Sequence, residues 1–287
     1  MMFLQPQKVP VKVYLSTDKD APRLDRTPNC VATILKACLV TGYGDKEGAG
    51  WSLPFEDTSK GIKVFRSEIS PHADFFMRVS NDTGREMTVQ VYQNMTSVDD
   101  GDLKLQCDTP FKYAVGSVTS NKWMVIACGR AFWVFCETAK RVTATQSGTH
   151  LYCGNTAKNS VGETAIYLKH TGGTWGIGDH DRYTILNGSG NSGSTIGKLF
   201  RDKTNTSANA DPVSLFKGDK VQSTYTLLTP VLLMSDDEVF ALPIYAPSTI
   251  NLHNYENLHA FGRTFINHAT GTYSRNNFLI PTDYWEF

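Results

Sequence analysis

The residues of this chain whose types and spacing could do chemistry lie in three acidic clusters and one glycine-rich run. Asp179-His180-Asp181 is the most suggestive. Carboxylates flanking an imidazole can bind a metal or exchange protons. Adjacent side chains in an extended segment point to opposite faces, so the three converge poorly and a surface turn is the favoured reading. Asp99-Asp100-Gly101-Asp102 has the composition of a calcium loop but lacks the ligand spacing and closing glutamate of an EF-hand. Asp236-Asp237-Glu238 is of the same kind, and both read as solvated turns. The run GSGNSGSTIGK at 188–198 imitates a phosphate loop, but its glycines fall at the wrong intervals and no apolar strand leads into it. No nucleophile elbow and no H-E-x-x-H motif occurs. A carboxylate pair of the glycosidase kind is defined by its separation in space, which a sequence does not give. The expectation is a chain without catalytic, cofactor-binding or metal-ligating residues, and not an enzyme.

The six cysteines form no CxxC pair, so their spacing does not suggest zinc. They read as small buried apolar residues of a reducing compartment. A helix would hold Cys30 and Cys38 too far apart to bridge. Lys+Arg and Asp+Glu both number 28 in the 287 residues, so the formal net charge is zero. That balance offers no basic surface for nucleic acid and permits packing against copies of the same chain. No apolar run is long enough for a membrane span, and MMFLQPQKVPVKVY lacks the features of a signal peptide. Synthesis and folding in a cytoplasm are expected.

The elements that must position these residues are mostly strands. Residues 1–10 read as an arm that needs a partner or neighbour to become ordered. Val11–Leu15 alternates as a first strand. One amphipathic helix is predicted at about 28–41, with Thr27 as its cap, Pro28 in its first turn and Gly42 ending it in a left-handed conformation. Val31, Ile34, Leu35, Cys38 and Leu39 form its buried face. Four glycines between 42 and 50 then deliver Trp51. Phe75–Tyr92 predicts a hairpin turning at Asn81-Asp82-Thr83-Gly84. Trp123–Cys128 and Ala131–Cys136 predict another, with Gly129-Arg130 as a type II′ turn, Ile126 opposite Trp133 and Val125 opposite Val134. Both faces of this ribbon are apolar, so it is placed centrally.

Residues 170–212 are rich in Gly, Ser, Asn and Thr. Long irregular loops are predicted there, with one short helix near Thr195–Phe200. Pro243 inside Val239–Tyr245 argues for an edge strand or its end. Phe261–Asn267 and Asn277–Pro281 suggest a closing hairpin. The fold class is therefore mainly β, an antiparallel sandwich or distorted barrel with one N-terminal helix. Residues 11–287 form one β-rich domain carrying the 170–212 insertion, and a split near 155–215 is the alternative. Trp123 and Trp133 read as core. Trp175, Tyr183, Tyr284, Trp285 and Phe287 sit in polar loops or at a terminus and read as interface anchors, the aromatic tail docking on its own domain or on a neighbour.

Several segments together resemble a known family. DAP at 20–22 and ILKACLVTGYGDKEGAGW at 34–51 are similar to the opening of a family of tailed-bacteriophage virion proteins. VFRS at 64–67, FFMRVSND at 75–82, VYQNMTSVDDG at 91–101, KWMVIACGRAFWVF at 122–135, ALPIYAPSTINLHN at 241–254 and FGRTFINH at 261–268 resemble later segments of that family, in order. Residues 137–212 carry little of the resemblance. What it implies is a particle component, with no catalytic residues to carry over and no fixed position in the particle. The expectation built on it is a non-enzymatic part of the tail, neck or baseplate, assembling in many copies with itself and other virion proteins. Its site would be the virion, after synthesis in the bacterial host. A capsid-decorating protein is the close alternative. Two other classes stay open: a module that binds host surface glycan through Trp175 and Tyr183, and a virion hydrolase using Asp179 or Asp181.

Overall fold

The computed structural model describes residues 7–70, 73–106, 110–114, 120–137, 148–156, 163–170, 180–185, 219–221, 224–226, 228–235, 238–247, 255–270 and 276–287. Among the described residues the fold is mainly β, with antiparallel sheets and one short helical segment, consistent with the sandwich or distorted barrel that its alternating apolar runs predict.

The hairpin Trp123–Cys128 and Ala131–Glu137 is the centre of the molecule. Ile126 pairs with Trp133 and Val125 with Val134, in the register read from the sequence. Lys12–Leu15 adds to one side of it, and Gly148–Thr156, Glu163–His170 and His180–Ile185 add in turn to the other. Side chains alternate across this six-stranded sheet, and each face meets a different core. Val125, Ala127, Phe132 and Val134 pack with the helix and with Phe65, Met77, Val79, Val89 and Val91 of an N-terminal sheet. Met124, Ile126, Trp133 and Phe135 pack with Leu242, Ile244, Ile266 and Ile280 of a C-terminal sheet.

The N-terminal sheet runs in chain order through Ser52–Asp57, Ile62–Arg66, Phe76–Ser80, Glu86–Met95 and Gly101–Gln106. Its second hairpin turns at 81–85, as the turn residues there predict. The C-terminal sheet has the order Leu228–Ser235, Glu238–Pro247, Asn276–Pro281, Arg263–Thr270, Asn257–Ala260. The closing hairpin foreseen near 261–281 is part of it. A separate two-stranded ribbon joins Lys8–Pro10 to Tyr284–Glu286.

Five local expectations are corrected. The helix is α over Cys30–Lys36 and π over Ala37–Thr41, and Thr27 does not cap it. Thr27 instead donates to Asp25, through its N–H at 3.0 Å and its hydroxyl at 2.7 Å. Gly42 takes a positive φ of 74°, but its ψ of 177° is extended rather than left-handed helical. The Gly129-Arg130 turn is not type II′, because Gly129 lacks the positive φ that this turn requires. Its missing side chain serves space instead: a Cβ there would lie 2.4 Å from the Glu68 carboxylate. Residues 170–212 are not loop throughout, since His180–Ile185 pairs with Glu163–His170. Pro243 does not mark an edge strand. Its strand has neighbours on both sides, and the pairing with Leu228–Ser235 shifts register between Pro230 and Leu232, opposite the proline. The helix predicted near Thr195–Phe200 lies outside the described residues.

Candidate functional site

Val31, Ile34, Leu35, Cys38 and Leu39 are all fully buried. Burying each of these side chains contributes about 1.5–3 kcal/mol, so this face fixes the helix between two sheets. A seven-residue α-helix would be marginal alone. Its first turn is capped from a distance. The buried Asp82, in the turn of the second N-terminal hairpin, accepts the Ala32 N–H at 2.9 Å. The same carboxylate accepts the Tyr113 hydroxyl and the Gly84 N–H. Burial, followed by this bond to Asp82, pushes the Tyr113 phenol well above its ordinary range. Arg26 lies alongside and donates to three carbonyls, Tyr113 at 2.8 Å, Ser120 at 3.0 Å and Glu137 at 3.1 Å.

At its other end the helix hands its carbonyls to the glycine loop. Cys38 O accepts from Ala49 N–H at 2.9 Å and Leu39 O from Trp51 N–H at 3.0 Å. The loop approaches so closely that a Cβ at Gly48 would sit 2.3 Å from Val40 O. Gly48→Ala is therefore expected to cost about 1–3 kcal/mol in urea unfolding, with a weakened tryptophan signal in near-UV circular dichroism. Trp51, thus delivered, is buried edge-on to Phe75 and Phe132, and its indole donates to Cys128 O at 2.8 Å. Beside it, Arg130 bonds Glu68 at 2.6 Å and Gln7 Oε1 at 2.8 Å.

The loop is also pinned to the edge of the central sheet. Lys46 reaches Val13 O at 2.7 Å and Asp18 at 2.6 Å, and Tyr43 donates to Asp18 at 2.8 Å. Burial alone would raise the Asp18 carboxyl, but the bonds from Lys46, Leu15 N–H and Tyr43 bring it below its ordinary value. Burial raises the phenols of Tyr14 and Tyr43. Asp18, Tyr43 and Lys46 together form a fastening of the loop, with their polar atoms spent on one another and on backbone.

A fourth cluster is absent from the sequence reading. His150 on the central sheet and His268 on the C-terminal sheet are both fully buried, with ring centroids 5.8 Å apart. Phe135 lies 5.7 Å from His150 and 4.2 Å from His268, and Trp133 lies 5.0 Å from His150. Burial lowers the His268 imidazole to about 3. The alternation of the flanking residues carried a signal for both. His150 is two positions before Tyr152 and His268 two after Ile266, and both of these neighbours line the same core.

The other candidates fall as follows. Asp179 and the run at 188–198 lie outside the described residues. His180 and Asp181 pair in register with His170 and Lys169. Asp99 accepts from Lys60 at 2.8 Å and from Arg78 at 2.9 Å, and those bonds hold it below the usual carboxylate range. Asp236 and Asp237 lie outside the described residues, and Glu238 opens a strand by pairing with Ser235. Cys30, Cys38, Cys128, Cys136 and Cys153 are buried free thiols. Burial pushes Cys128 up to about 11 and Cys136 to about 12, so neither is an activated nucleophile. No group of three or more metal-ligating side chains gathers among the described residues.

Of the interface candidates, Trp175 lies outside the described residues and Tyr183 pairs with Tyr167 on the outermost strand of the central sheet. Trp285 is turned inward. It is fully buried beside Tyr152 and Phe287, and its indole donates to Pro281 O at 3.1 Å. Tyr284 is half-buried under Arg263, whose guanidinium sits 3.9 Å from the ring centre. Phe287 packs against the same core as Trp285. The aromatic tail thus docks on its own chain, the first of the two alternatives its sequence offers. No family model matches the chain, and no curated protein or solved structure matches it either.

Proposed function

We propose that this chain is a non-enzymatic structural component of a tailed-phage virion, placed in the tail, neck or baseplate and acting by multi-copy association. One observation carries the reading. Resembling segments that lie far apart in sequence meet in a single core. Leu35, Leu39 and Trp51 from the first, Phe65 from the second, Phe75, Met77 and Val79 from the third, and Val125, Phe132 and Val134 from the hairpin all belong to it. Segments that pack into one body account for the resemblance as a shared fold, and the function follows from it by analogy. The polar groups around that core support the reading. Asp82, Arg26 and Arg130 are spent on capping and joining elements.

The stretch with little resemblance, 137–212, supplies the outer strands of the central sheet, up to His180–Ile185. A rigid inner body with a divergent outer edge suits a part that keeps its shape and varies its neighbours. The test is position. Gold-labelled antibody on purified particles is expected to mark a single vertex or the tail. Label over the whole shell assigns the chain to capsid decoration instead, and particles that lack the protein overturn the proposal.

A further inference from the structure

The strand Lys8–Pro10 belongs to none of the large sheets and, among the described residues, pairs with Tyr284–Glu286 alone. Beyond this register, Gln7 N–H donates to Phe287 O at 2.9 Å, Phe287 N–H to Gln7 O at 3.1 Å and Val11 N–H to Asp283 O at 3.2 Å.

The two halves of this ribbon are held very differently. The C-terminal half is fixed by its own side chains. Trp285 is fully buried, and Arg263 covers Tyr284 while pairing with Asp283 at 2.9 Å. The Arg263 contacts do not involve the N-terminal half. That half leaves Lys8 and Pro10 exposed and Val9 half-buried. Its side-chain anchors are Val9, which packs at the margin of the core that holds Trp285, the Lys8 ammonium, 4.7 Å from the Tyr284 ring centre, and Gln7, which accepts from Arg130 at 2.8 Å. A firmly seated acceptor is thus filled by a lightly held donor.

We propose that this acceptor takes the arm of a second copy of the chain, so that residues 7–10 exchange between neighbours. The inference rests on the multi-copy reading above. The occupant is set by the register itself: an identical arm makes the same backbone bonds, the same Lys8–Tyr284 contact and the same Gln7–Arg130 bond whichever copy donates it. Exchange of identical elements is a low-cost route to association. In a dilute chain the tethered arm has an effective concentration in the mM range and wins. Copies ordered side by side reach comparable local concentrations, and the neighbour's arm then competes. A net charge of zero removes long-range repulsion between copies. Lys12 is held in the central sheet, so the arm reaches about 15 Å from there, at ~3.3 Å per residue. That reach limits the donor to a directly adjoining copy. Each copy gives an arm and receives one, so exchange either closes reciprocally or runs head to tail.

Lys8 and Glu286 face each other in the register. Two full-length variants, Lys8→Cys and Glu286→Cys, the second bearing a mass tag, are mixed and mildly oxidised. Exchange predicts a mixed disulfide that rises several-fold with protein concentration and is absent when either variant is oxidised alone. The double variant Lys8→Cys/Glu286→Cys, oxidised when dilute, must form an internal disulfide, which shows that the pair can bridge. Sedimentation of the same samples separates the two ideas. Association without mixed disulfide overturns the exchange and spares the multi-copy reading. A monomer at every concentration, without mixed disulfide, overturns both.

Discussion

Asp82→Ala is expected to lower the stability of the folded chain by about 3–5 kcal/mol. The substitution removes the acceptor for Ala32 N–H at the start of the helix and for the buried Tyr113 hydroxyl. Loss of a helix cap costs ~0.5–2 kcal/mol, and each buried polar group left without a partner adds ~1–3 kcal/mol. The Gly84 N–H, which bonds the same carboxylate oxygen as the Tyr113 hydroxyl, loses its partner as well. Asp82→Asn keeps one accepting oxygen and is expected to recover part of the loss. Tyr113→Phe removes a single donor and is expected to cost about 1 kcal/mol. Urea unfolding of the three variants checks the ordering. An Asp82→Ala midpoint equal to that of the unchanged chain would show that the helix does not depend on this carboxylate.

The second large effect is with pH. His268 is neutral in the folded chain at ordinary pH, its imidazole lowered by burial from 6.5 to about 3. Unfolding returns it to its ordinary value, so below pH 6.5 the unfolded chain takes up a proton that the folded chain refuses. The stability associated with this group is complete above pH 6.5 and is lost progressively as pH falls toward 3. One proton gives a limiting slope of about 1.4 kcal/mol per pH unit, reached below the midpoint, hence about 2 kcal/mol between pH 6.5 and 4.5. Asp18, Asp99 and Asp283, each lowered from 3.8, and Glu56, lowered from 4.5, contribute mainly at more acid pH. His268→Phe is expected to flatten that window whatever its effect on stability at pH 7. Urea midpoints measured from pH 7 to 4.5 for both chains decide it, and parallel curves would refute the assignment.

The central hairpin was legible because both of its strands are apolar on both faces and stand two residues apart, a pattern that fixes register and placement together. The helix face was legible from its spacing, but its cap was not. Asp82 lies fifty positions beyond Ala32, and nothing local to Thr27 shows that Asp25 occupies its hydroxyl instead. Gly129 invited a conformational explanation where the real constraint is the Glu68 side chain packed against it. His180–Ile185 went unseen because its apolar positions are sparse and its pairing partner supplies the order. Trp285 was read as an interface anchor, docking on its own domain or on a neighbour, because a terminus has no periodicity to reveal which way it faces. The histidine pair required two sheets to be brought together before it existed.

The pairing of Lys12–Leu15 with residues 124–127 has a consequence for how the protein is made. The first edge of the central sheet emerges from the ribosome long before its partner. At roughly 5–20 residues per second the wait is on the order of ten seconds. Tyr14, fully buried at the end, and the apolar stretch of the following helix are uncovered throughout that interval. Nascent chains stalled between those two points should be the ones that ribosome-bound chaperones hold most tightly.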